Sequence, residues 1–125
     1  MTDSNLIERL DRLEYQVSIL GQAIDYDRFP IEALIMGMGW DRRDMDNVHN
    51  VFERWDNRLE KGEKINQFEF EKDFEKAVGV NYQGLKSILI AFWENHQWTN
   101  VCEAYVDSFG GSPAVEYHRI MRRER

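Results

Sequence analysis

Apolar residues recur along the first part of the chain at Leu6, Leu10, Leu13, Val17, Leu20 and Ile24. The steps alternate between four and three residues, which makes an a/d heptad seam. Leu10, Val17 and Ile24 take the a positions, and Leu6, Leu13 and Leu20 the d positions. The spacing predicts one long helix from residue 4 to about residue 27, with N-cap oxygens offered by Thr2, Asp3 and Ser4. An uninterrupted seam of this kind ordinarily meets the same seam on another copy. Val and Ile at a with Leu at d lean towards a parallel dimer, while Leu10 at a blurs that preference. Arg9 at g and Glu14 at e would face each other between parallel copies. A second stripe of Tyr15, Ile19 and Tyr26 widens the apolar face beyond a strict seam. The C-terminal half of the helix is therefore expected to lean on the body as well. The competing arrangement packs the whole helix inside its own chain.

Six further helical segments follow. Pro30 disfavours helical geometry at Phe29 and suits the first turn of a new helix. That helix carries Ile31, Ala33, Leu34, Ile35 and Met36, has little polar face, and is expected to be centrally buried until Gly37 and Gly39 end it. Asp41 with Asp44 three residues on reads as a capping box. It opens a helix with the stripe Met45, Val48, Phe52, Trp55 and Leu59, stopped by Gly62. Asn66 caps a fourth helix with Phe70, Phe74, Ala77 and Val78, closed by Gly79. The brief alternation around Phe68 and Phe70 runs straight into helical spacing, so it reads as helix and not strand. Asn81 begins a fifth helix (Leu85, Ile88, Leu89, Phe92, Trp93), and Thr99 is expected to cap a sixth (Val101, Cys102, Tyr105, Val106, Phe109). After Gly110 and Gly111, Ser112 and Pro113 start a last helix over about 114–123, with Val115, Ile120 and Met121 as its apolar content.

The chain has 125 residues, enough for one domain that buries roughly two-thirds of the surface exposed by its unfolded form. Aromatic residues make up 13%, four of them Trp, which supplies a core and argues against disorder. The net charge of −7 disfavours general binding to nucleic acid or to an anionic membrane. Arg119, Arg122, Arg123 and Arg125 against Glu124 leave the last seven residues at +3 and the remainder at −10. The bland account of that asymmetry is a solvated acidic surface with a frayed basic end. A single cysteine, Cys102, excludes an internal disulfide and points to a reducing compartment. No apolar run approaches a membrane span and the N-terminus lacks signal-peptide features, so a cytoplasmic protein is expected.

Candidate chemistry is thin. His49 and Glu53 lie one helical turn apart, yet a structural metal site needs about four ligands and no second such pair exists. Glu94 with His96, and Glu116 with His118, have the wrong offset for a di-iron bundle. Asp41, Asp44 and Asp46 lack the turn glycine and terminal glutamate of a calcium loop. Phosphate loops, nucleophile elbows and Cys-x-x-Cys pairs do not occur in the sequence. Arg43-Asp44 followed by His49 resembles the Arg-x(4–6)-His signature of the HEPN ribonucleases, helical dimers whose histidine is placed for proton transfer. Here the pattern opens the third helix, whereas in that family it lies on a late one. Arg43 also fits a solvated first-turn residue, and His49 a neighbour of the core. Cys102 sits on an apolar stripe and reads as a buried small residue. Trp40, Trp55, Trp93 and Trp98 read as core residues more readily than as a base-stacking platform.

Arg12-Leu13-Glu14-Tyr15, then Asp25-x-Asp27-Arg28-Phe29-Pro30 with Ala33-Leu34 after it, resembles the YhaI-like proteins, a small family of uncharacterised bacterial proteins. Trp93-Glu94, Trp98, Val101, Glu103 and Tyr105-Val106-Asp107 are similar to the far end of that pattern. The resemblance spans roughly residues 6–109 and implies an all-α fold whose long first helix serves self-association. It brings no activity, cofactor or catalytic residue, and the arginines after Gly110 lie beyond it.

The expectation is an all-α bundle of about six to seven helices. Residues 1–28 form an oligomerisation helix, 29–110 a helical body, and 111–125 a last helix with a basic tail, within one domain overall. The function expected is a non-enzymatic interaction or scaffold module, self-associating through Leu6, Leu10, Leu13, Val17, Leu20 and Ile24. It would need no cofactor or metal, and would also engage an unidentified protein partner. The alternatives are the HEPN-like ribonuclease and a small acidic inhibitor of phage type that occupies a basic surface on a host protein.

Overall fold

A computed structural model describes residues 3–111 and 113–121. Among these residues the chain is all-α, with no strand. The helices are α1 (Asp3–Gln22), α2 (Pro30–Met38), α3 (Arg42–Glu60), α4 (Gln67–Val78), α5 (Tyr82–Glu94), α6 (Thr99–Asp107) and α7 (His118–Met121), the last preceded by a 3-10 turn (Val115–Tyr117).

Helices α3, α4 and α5 each start behind a short polar side chain that satisfies a free N–H group of the first turn. The Asp41 carboxylate accepts from the Asp44 amide at 2.9 Å, and the Asp44 carboxylate accepts from the Asp41 amide at 3.0 Å. This reciprocal pair is the capping box read from the sequence. Asn66 and Asn81 accept in the same way from Glu69 and Gly84. Gly39 and Gly79 close α2 and α4 in left-handed geometry, where a Cβ would be strained.

The core is built from α3 to α6 with the C-terminal turn. Phe52 of α3 lies 4.9 Å from the Phe92 ring and 5.1 Å from that of Phe74, centroid to centroid. Phe70 stacks on Tyr105 at 4.6 Å, and Tyr117 meets Tyr105 edge-on at 5.9 Å. Such offset and edge-to-face pairs add modestly to the burial of the rings themselves. Helix α2 lays Ile31, Ala33 and Leu34 into this core beside α5, while Met36 stays exposed, so α2 is buried on one side and not centrally.

Four other expectations are corrected. Helix α1 stops at Gln22, because the Ala23 and Ile24 amides turn to the carbonyls of Leu20 and Gly21 three residues back. Ile24 is therefore off the helix. Gly37 lies within α2 and does not end it. Thr99 is the first residue of α6, and its cap is Trp98 in the left-handed region (φ 52°) with no side-chain cap bond. The C-terminal segment opens as a 3-10 turn with Val115 exposed, and the residue it commits to the core beside Ile120 is Tyr117. Ser112 and the arginines at 122, 123 and 125 lie outside the described residues.

Candidate functional site

Helix α1 has no buried residue. It is 20 residues long, about 30 Å at 1.5 Å per residue. The five seam residues on it, Leu6, Leu10, Leu13, Val17 and Leu20, expose between 46% and 68% of their surface. Single apolar residues on a surface are ordinary, whereas a heptad row of five along one helix is not. Half-buried Ile24 continues the spacing but sits in the turn beyond α1. Tyr15 and Ile19 of the second stripe are also exposed, so this stripe does not seat the helix on the body.

The arm joins the body at its C-terminal end, beside α2. A Cβ built at Gly21 would lie 3.2 Å from the Met36 Cε and 3.8 Å from its Cβ. Gly21 occupies an e position, so the missing side chain leaves room for α2 to approach the flank of the seam. The corner that follows is held locally: the Asp27 amide donates to the Asp25 carboxylate at 3.0 Å, and the Phe29 amide to the Asp25 carbonyl at 2.8 Å. Phe29 then takes a non-helical backbone (φ −131°, ψ 62°), outside the α region that Pro30 disfavours for the residue before it.

Beside this corner a cleft of about 470 Å³ opens between α2 and α5, walled by Pro30, Leu34, Met38 and Ile90. Asp27 stands at its mouth, together with Glu94 and Arg119, which form an ion pair.

The residues singled out for chemistry have other partners. Nδ1 of His49 accepts from the Trp98 indole at 2.9 Å, and its ring meets Phe92 edge-on, while Arg43 and Glu53 are exposed. Trp55 donates to Asp73 and Trp93 to Glu103, so these indoles, like that of Trp98, tie the bundle together. Cys102 is fully buried, and desolvation pushes its thiol far above the ordinary range, which suppresses the nucleophilic thiolate. The Asp44 amide, bound to the Asp41 carboxylate, holds that group below the ordinary carboxylate range, as N-capping requires. Among the described residues no three His, Cys, Asp or Glu side chains gather as metal ligands, and no helix is long and apolar enough to cross a membrane.

What the sequence reading missed is the foot of the arm. A glycine inside an otherwise strong helix, at a seam-flanking position, was the available signal for a close approach.

A family model described as "Protein of unknown function (DUF1878)" matches residues 3–105. No curated protein and no solved structure matches the chain.

Proposed function

The chain belongs to the DUF1878 family of proteins of unknown function, and we propose that it acts as a non-enzymatic interaction module whose copies associate along α1. The observation that carries this reading is the exposed row Leu6, Leu10, Leu13, Val17 and Leu20 on a helix with no buried residue. The stability of a helix in a protein comes chiefly from packing an apolar face. A second copy offers such a face in matching register, with Arg9 set against Glu14 across the seam. The acidic body would then be presented in more than one copy to a protein partner, in a cytoplasmic setting. The finer YhaI-like resemblance belongs to this same reading.

Light scattering on the purified chain at tens of micromolar tests it. The expected mass is an integral multiple of the 15.0 kDa chain, and Leu13→Glu should return it to one, because buried like charges oppose association. A wild-type monomer, or an unchanged oligomer in the variant, overturns the proposal.

A further inference from the structure

We infer that the associating copies run parallel, and that Met36 of α2 completes the seam by standing in for the side chain absent at Gly21. This rests on the self-association reading and specifies its geometry.

The charges choose the direction. In a parallel pairing, the g residue of one heptad faces the e residue of the next on the other helix, which sets Arg9 against the partner's Glu14. In the antiparallel register that sets Leu13 against Val17, Glu14 would instead approach the partner's Glu14, a like-charge contact that disfavours it.

The foot of the arm supplies the second argument. The e and g positions flank the apolar row and cover it from water. The next e position after Glu14 is Gly21, which has nothing to offer there. Met36 fills that place: its methyl lies 3.2 Å from where a Gly21 Cβ would be, and the side chain remains 39% exposed. In the parallel register the group facing this flank is the partner's Gln16. Its aliphatic stem can lie on the flexible, polarisable thioether. Three heptads alone make a marginal contact, so a side chain from α2 at the C-terminal end adds area where the seam would otherwise end at Leu20.

The direction is tested by Asp3→Cys, at the a position one heptad before Leu10. Parallel copies place the two new thiols side by side, and mild oxidation should link most of the protein covalently as dimers. Antiparallel copies would hold them about 30 Å apart, and failure to cross-link overturns the parallel arrangement. Cys102 has no exposed surface and stays out of the reaction. The foot contact is tested by Met36→Glu, expected to weaken association at least tenfold while Met36→Leu preserves it. Far-UV circular dichroism shows that the fold is intact. Equal association by Met36→Glu and wild type overturns the role of Met36. Leu13→Glu reports separately on the parent reading: an oligomer lost there but kept in Met36→Glu removes only this inference.

Discussion

The indole N–H of Trp98 donates to Nδ1 of His49 across 49 residues of sequence, fastening the α5–α6 turn to α3. Trp98 holds a left-handed backbone, and so does His96 two residues earlier. A bulky residue adopts that conformation only when its surroundings over-determine it. Here the ring also stacks on Phe52 at 5.9 Å with the planes 4° apart. His49→Ala leaves the indole donor without its acceptor, and the loss expected is about 1–2 kcal/mol. Urea unfolding should show an earlier midpoint with an unchanged slope. RNA cleavage assayed on the same variant separates this structural role from the Arg-x(4–6)-His alternative.

The seam predicts a charge-reversal pattern. Arg9→Glu would replace an attraction to Glu14 by a repulsion at both symmetry-related crossings, weakening association by about thirtyfold if each exposed pair shifts from roughly 0.5 kcal/mol of attraction to a similar repulsion. Arg9→Glu combined with Glu14→Arg should recover most of the loss, and added salt should narrow all three differences. Sedimentation equilibrium across a concentration series reads these shifts.

Alkaline pH should destabilise the fold in two stages. Burial raises the Cys102 thiol from an ordinary value of 9.0. Burial, with Glu71 accepting from its hydroxyl, raises the Tyr105 phenol from 10.0, and burial with Tyr82 nearby raises that of Tyr117. Each group is protonated in the folded chain over a range where the unfolded chain has released its proton. The stability is therefore complete below about pH 9 and falls as pH rises, by up to about 1.4 kcal/mol per unit for each group engaged. Denaturant midpoints measured from pH 7 to 11 should begin to drop near 9 and steepen past 10. Cys102→Ala should remove the first stage only.

Asn81→Ala should cost about 1 kcal/mol, since Asn81 accepts from the first turn of α5 at 2.9 Å. The helix carries Leu85, Ile88, Leu89 and Phe92 into the core, so the loss should appear in global unfolding and not as local fraying. Thermal denaturation followed at 222 nm measures it.

What could be read ahead of the structure depended on how local its cause is. Asp41, Asn66 and Asn81 cap helices through bonds three residues long, and stripes such as Val48, Phe52 and Trp55 need only the helical repeat to reveal their buried side. Trp98 as a cap was hidden because its conformation is imposed by His49 and Phe52, distant in sequence. Tyr117 was passed over because its segment is a 3-10 turn, whose period differs from the one sought. Ile24 continues a perfect heptad spacing, yet the hydrogen bonds shift to a tighter turn just before it. Spacing shows which residues would align on a helix, and not where the helix gives way. The row Leu6 to Leu20 was legible as an apolar edge, and its exposure in this chain required coordinates.

Because α1 is moored beside α2 at Gly21, its two ends tolerate different changes. Whole heptads inserted near Asp3 would lengthen the reach while leaving the mooring undisturbed. A single residue inserted between Leu20 and Gly21 would swing the apolar row by about 100° around the helix axis, away from Met36. The phase of the arm is thus fixed at its root, and only its length is free to drift.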